Sequence, residues 1–110
     1  MKVIKAVVRP NKVKAIKDAL TACHVAGMTV IEVRGHGHQR GHSAVYRGRE
    51  YEVSLLRKRK TETVVPDDQV EDVMEAVMSA ARTGETRDGR VFVIPVEENR
   101  NIRTGERDVV

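Results

Sequence analysis

Thr83-Gly84-Glu85-Thr86-Arg87-Asp88-Gly89-Arg90 sets two glycines, two carboxylates and two guanidinium groups just ahead of an apolar run that includes Phe92. Exposed backbone amides in such a turn, followed by a guanidinium, can cradle phosphate oxygens. Arg103 in the tail is a candidate second phosphate ligand. An ordinary turn fits the same residues, and the full phosphate-loop pattern of a nucleoside triphosphatase is missing from the sequence. A second stretch, His36-Gly37-His38-Gln39-Arg40-Gly41-His42, spaces histidines so that they can approach one divalent ion such as zinc, copper or nickel. No thiolate or carboxylate completes that set, and simple solvated loop histidines fit the pattern better. A third stretch, Tyr46-Arg47-Gly48-Arg49-Glu50-Tyr51, holds two of the chain's three aromatic residues. A tyrosine there offers its hydroxyl to a modifying enzyme, or packs its ring on the domain body. Nothing in the sequence supports catalysis: there is no nucleophile elbow, and Cys23 falls on an apolar helical stripe, where it packs as a small hydrophobe.

The elements that must position these groups are legible from periodicity. Lys2 to Arg9 is rich in β-branched residues and stops at Pro10, which reads as a strand. Asn11 is a candidate helix cap, and Val13, Ile16, Ala19, Leu20 and Cys23 follow at helical spacing, with Gly27 closing the region. Met28 to Val33 reads as a second strand. Gly35 to about Glu52 keeps no sustained period, and an irregular stretch of that length inside a small domain is usually functional or disordered. Val53 to Val65 is a third strand, ending before Pro66. Asp67 or Asp68 is a candidate cap for a second helix with the stripe Val70, Val73, Met74, Val77 and Ala81, and Gly84 suits its end. Arg90 to Val96 is the fourth strand. Two linked βαβ units of this size predict an α+β, ferredoxin-like βαββαβ sandwich spanning residues 1–110 as a single domain, with a long loop at about 36–54 between strands two and three and a C-terminal loop at about 97–110. The strands are apolar on both faces, so the face without helices is expected to be buried by oligomerisation.

Charge placement sharpens this. The chain of 110 residues has 20 basic and 16 acidic side chains, a net charge of +4. The segment from Arg34 to Lys60 alone carries +6, leaving −2 for the rest. The single cysteine excludes an internal disulfide framework and fits a reducing compartment. There is no signal-peptide pattern, and no apolar stretch approaches the roughly 20 residues that span a bilayer. A soluble cytoplasmic protein without membrane insertion is expected. The basic stretch is short and lacks a recognition motif, so nucleic-acid binding is not expected.

From Met1 to about Glu106 the chain resembles the PII family of nitrogen-regulatory signal-transduction proteins, as a divergent member. The loop motif Tyr46-Arg47-Gly48-Arg49-Glu50-Tyr51 is similar to the family's modification-site signature, with Arg49 in place of a small residue. Thr83 to Val96 is similar to its second signature: Asp88, Gly89, Arg90 and Phe92 agree, and Arg87 replaces a glycine. Gly27-Met28-Thr29-Val30, Gly35, Gly37, Gln39, Lys58, Glu62 and Ile102-Arg103-Thr104-Gly105-Glu106 also match.

The resemblance implies a non-enzymatic homotrimer whose inter-subunit clefts bind ATP or ADP and whose long loop, the T-loop, docks on targets. The nucleotide pocket maps onto Gly35, Gly37, His38, Gln39, Arg87, Asp88, Gly89, Arg90 and Arg103, with Thr29, Glu62 and Val64 near the base. Gln39 would contribute an oxygen to Mg2+, which bridges the phosphates and the effector 2-oxoglutarate, and Lys58 would pair with a 2-oxoglutarate carboxylate. Tyr51 is the implied uridylylation site. The implied target is an ammonium transporter, a nitrogen-metabolism enzyme or another transporter. Three departures bear on phosphate binding: His38 and Asn101 stand where arginines are usual, with Arg100 next to Asn101, and Arg87 either blocks the tight phosphate turn or supplies a replacement cation. Arg57 and Arg59 make the loop base more basic than the family's pattern. The alternative is a divergent PII-like sensor linked to metal or other transport, with its histidine-rich loop and no 2-oxoglutarate response.

Overall fold

The computed structural model describes residues 1–36 and 55–108, together with the backbone of 43–46 and 49–52. Strand β1 (Lys2–Val8) leads through a 3-10 turn, Pro10–Lys12, into helix α1 (Val13–Ala22) and strand β2 (Thr29–Gly35). Two short strands follow, β3 (Ser43–Tyr46) and β4 (Arg49–Glu52), paired antiparallel with each other. Then come β5 (Leu56–Val65), a 3-10 turn at Asp67–Gln69, helix α2 (Val70–Ala81) and β6 (Gly89–Pro95). The main sheet has the order β2-β5-β1-β6, every neighbouring pair antiparallel. This is the expected ferredoxin-like arrangement.

Alternation along the strands separates two faces. Ile4, Ala6 and Val8 of β1 and Thr61, Thr63 and Val65 of β5 are buried on one face, together with Ile16 and Leu20 of α1 and Val73, Val77 and Ala81 of α2. The apolar part of this core is entirely aliphatic, and each fully buried Ile, Leu or Val side chain contributes about 1.5–3 kcal/mol. Cys23 packs against the core, as its place on the stripe predicts. On the opposite face Ile31, Val64, Phe92 and Ile94 remain exposed in the single chain, with the Lys5 ammonium 5.2 Å from the centre of the Phe92 ring.

The element ends differ from the sequence expectations in instructive ways. Helix α1 stops before Gly27. His24 adopts φ +61°, its N–H bonds to the Thr21 carbonyl (3.0 Å), and the Val25 N–H bonds to the Leu20 carbonyl (2.9 Å). This is the paired-bond ending that glycine usually supplies, with a histidine in the left-handed position. Neither Asn11 nor an aspartate caps a helix through its side chain. Asp67 instead pairs with the N-terminal ammonium and with Lys2. Helix α2 carries Glu71 and Asp72 in its first turn, where the positive end of the helix dipole favours them.

Gly89 is required by contact as well as by conformation. Its φ is +106°, and a Cβ at this position would lie 1.8 Å from the Val7 carbonyl oxygen. Gly27 has ordinary φ and nothing within 4 Å of such a Cβ. Gly89→Ala is therefore expected to lower the unfolding free energy by about 3 kcal/mol or more, and Gly27→Ala to change it by less than about 0.5 kcal/mol. Urea denaturation of both variants measures this, and equal midpoints would contradict the close approach of β6 to β1.

Candidate functional site

The end of the sheet where β1 stops and β6 begins is organised by one carboxylate. Asp88 Oδ2 accepts the backbone N–H groups of Thr83 and Gly84, each at 2.8 Å. Its Oδ1 accepts the Thr83 hydroxyl and, at 3.2 Å, the Arg9 Nε–H. Those hydrogen bonds, the Thr83 hydroxyl foremost, hold the Asp88 carboxyl far below the usual carboxylate range. The Glu85 N–H bonds to the Thr83 hydroxyl oxygen and the Asp88 N–H to the Glu85 carbonyl. The amides of Thr83, Gly84, Glu85 and Asp88 thus have acceptors within the turn, and the Asp88 carboxylate serves to shape it. This differs from the simple cradle of free amides that the sequence alone permits.

Cations gather beside this clasp. Lys58 is buried on β5, and its ammonium donates to the Arg87 carbonyl at 2.7 Å. Burial, then the charges of Arg9 and Arg87, pulls the Lys58 pKa below its ordinary value. Arg9 pairs with Asp88 through Nε, but its Nη2 is buried and has no hydrogen-bond partner among the described residues. A groove of about 290 Å³ opens here, lined by Arg9, Asn11, Leu56, Arg57, Lys58 and Arg87. Arg9 escaped the sequence reading. The available signal was a lone guanidinium at the end of an apolar strand, next to the proline that stops it. Antiparallel pairing sets that strand end beside the start of β6.

A second groove, of about 650 Å³, is lined by Gly27, Met28, Thr29, Glu62, Val64 and Asn101 among others. Thr29 stands opposite Glu62 in the β2–β5 register, so three sequence-selected residues, Thr29, Glu62 and Val64, do share one cavity. Gly35 closes β2, and a Cβ at this position would lie 3.4 Å from the Lys58 Cγ. Arg90 is exposed on β6 opposite Val7. Arg103 lines neither groove and stands exposed at the tip of the C-terminal turn.

Asn101 shapes that turn. Its Oδ1 accepts the N–H groups of Arg103 (2.9 Å) and Thr104 (3.1 Å), and its backbone bonds to Glu106 and Gly105. Asn101 therefore holds the loop that presents Ile102 and Arg103. Gly37, His38, Gln39 and His42 lie outside the described residues. So does the Tyr51 side chain, whose backbone pairs with Ala44. Among the described residues no cluster of three His, Cys, Asp or Glu side chains is placed to hold a metal ion, and no helix is long and apolar enough to cross a membrane.

A model of the family described as nitrogen regulatory protein P-II matches residues 1–106. Relatives of that same name agree closely. The protein of Nostoc punctiforme is 49% identical over 108 residues, covering 98% of this chain and 96% of the relative. That of Synechocystis is 49% identical with the same coverage, and that of Cereibacter sphaeroides is 48% identical over 106 residues, 96% of this chain and 95% of its own. Family model, full-length identity and the βαββαβ sheet order agree: the chain belongs to the P-II family of nitrogen regulatory proteins, which are signal-transduction regulators and not enzymes.

Proposed function

We propose that this chain senses ATP or ADP, and 2-oxoglutarate together with Mg-ATP, and signals the result to nitrogen-metabolism targets through the loop at about 36–54. The observation that carries this reading is the charge imbalance around Lys58. A buried ammonium with a lowered pKa and a buried Arg9 N–H that has no hydrogen-bond partner among the described residues sit side by side, with Asp88 bonded to Arg9. Among the described residues Lys58 and Arg9 are short of negative charge, and a dicarboxylate or phosphate entering the groove removes the deficit. Arg9 joins Lys58 as an effector contact in this reading, and Arg87 replaces a tight glycine turn with an added cation.

The nucleotide base belongs in the larger groove beside Thr29, Glu62 and Val64. The phosphates run toward Gly35, Gly37, His38, Gln39 and the Arg87–Arg90 turn, with Arg103 offered by a neighbouring copy. The described cations suit the anionic ligands, whereas the one assigned magnesium donor, Gln39, is outside the described residues. Mg2+ would supply the positive charge that lets a triphosphate and a dicarboxylate share one site. Nucleotide clefts between subunits require the homotrimer, and the exposed face carrying Ile31, Val64, Phe92 and Ile94 is the surface assigned to it. Ligand binding favours one loop conformation over others and so becomes a signal to a transporter or enzyme. The same reading keeps residues 1–110 as one cytoplasmic domain, with a C-terminal loop at about 97–110 and Tyr51 as the modification site.

Calorimetry tests the sensing. ATP is expected to release or absorb heat on binding, and 2-oxoglutarate to bind only with Mg-ATP present. Lys58→Met should weaken 2-oxoglutarate at least tenfold and leave ATP within about threefold, since removing one partner of a buried charged contact costs 1.5 kcal/mol or more. The pH dependence has a definite sign. Below its lowered pKa Lys58 is charged and binds the carboxylate. Affinity should therefore fall as pH rises through that value, before the ordinary lysine value of 10.5 is reached. No heat with any nucleotide would overturn the proposal. For the assembly, light scattering should give three copies per particle for the parent chain and a loss of trimer for Ile94→Glu with helical content retained. A monomeric parent would contradict it.

A further inference from the structure

The helix-side face of the sheet carries a basic groove, separate from the Thr29 cavity, that meets the effector groove only at Arg57. Arg34 on β2 stands directly opposite Arg57 on β5, and Glu32 stands opposite Arg59. These four residues and Val33 line an open groove of about 290 Å³. The period of two puts Arg57 and Arg59 on the same face as the buried Thr61, Thr63 and Val65, so packing through the opposite, apolar face leaves the groove outward. Arg59 is matched by Glu32 at 3.1 Å, while neither Arg34 nor Arg57 has an ion pair among the described residues.

Like charges facing each other across an antiparallel pair destabilise it, by roughly 0.2–1 kcal/mol. An arginine pair in that register, at the last rungs of the sheet before the long loop, is therefore a local cost to the fold, offset when an anion bridges the two guanidinium groups. Geometry selects the kind of anion. Arg57 and Arg59 are two residues apart on one strand, so their side chains emerge about 6.5–7 Å apart, and Arg34 emerges about 5 Å across from Arg57. One carboxylate or phosphate does not satisfy that spread. An extended peptide with acidic side chains at alternate positions repeats at the same 6.5–7 Å.

We propose that the groove between β2 and β5 docks an extended acidic segment of a target protein, with Arg34 and Arg57 sharing one carboxylate and Arg59 facing the next acidic side chain of the alternation. The family acts by binding target proteins, and this groove extends such a footprint from the long loop onto the sheet. Arg57 also lines the effector groove, whereas Arg34 and Glu32 line neither of the two grooves assigned to nucleotide and effector, so substitution at Arg34 separates partner binding from the nucleotide reading.

The test uses the full chain and a fluorescein-labelled octapeptide of alternating serine and glutamate, with fluorescence anisotropy as readout. Binding at 0.05 M salt is expected, with at least tenfold loss when glutamine replaces glutamate in the peptide. Arg34→Glu turns the repulsive pair into an attractive one, so its Tm should match or exceed the parent's while peptide affinity drops at least tenfold. Arg34→Gln, which needs no new pairing to fold, should drop it about fivefold. A control carrying Lys12→Gln and Lys17→Gln removes two charges from the α1 region and should stay within twofold. Equal loss in that control would reduce the effect to overall charge and overturn the proposal. So would unchanged affinity in both Arg34 variants, no binding at all, or inorganic tripolyphosphate binding tenfold tighter than the peptide with the same Arg34 dependence.

Discussion

The Asp88 carboxylate is the contact on which the candidate site depends. It accepts two backbone N–H groups, a hydroxyl and a guanidinium, and so ties the turn after α2 to the end of β1. That clasp sets Arg87 where its carbonyl receives the Lys58 ammonium. It also delivers the chain to Gly89, which can approach the Val7 carbonyl only because it has no side chain. With Asp88 fully engaged in shaping the turn, its charge is spread over several donors, and among the described residues the buried Arg9 Nη2 is left without an acceptor. A site of this kind is stable enough to exist and incomplete enough to favour an anion, the combination a sensor needs.

The two faces of the sheet divide the remaining work. The helix side is closed by an aliphatic core that needs no ring, which frees the chain's few aromatic residues for other positions. Phe92 lies on the opposite face among exposed aliphatic side chains. The ends of the strands carry the charges: Arg9, Lys58 and Arg87 at one cluster, Arg34, Arg57 and Arg59 at another, with Arg57 lining both grooves. The basic excess counted along the chain thus resolves in part into two adjoining surfaces at the root of the long loop. One suits a compact anion and the other suits an extended acidic chain.

What was legible in the sequence was local. The β-branched run ending at Pro10, the Val70-Val73-Val77-Ala81 stripe and the strand before Pro66 are each readable from adjacent residues alone, and together they define the fold. Thr29, Glu62 and Val64 were selected by resemblance and do line one cavity. What was not legible depends on partners distant in sequence. Arg9 gains its meaning from Asp88, 79 residues away, and Asp67 pairs with the N-terminal ammonium 66 residues away instead of capping a helix. Asn101 looked like a lost cation, and only the turn geometry shows its carboxamide holding Arg103 and Thr104. His24 could not be read as a helix terminator because its side chain gives no such signal. Its left-handed backbone is imposed by the bonds that close α1.

The central claim is that Lys58 sits in a cation cluster awaiting an anion. The most direct measurement is an NMR titration of the Lys58 side chain, following its terminal carbon and nitrogen shifts with pH, first alone and then with Mg-ATP and 2-oxoglutarate. The account predicts a midpoint below the ordinary lysine value of 10.5 in the free protein and an upward shift when the dicarboxylate binds. A midpoint at 10.5 that no effector moves would contradict it.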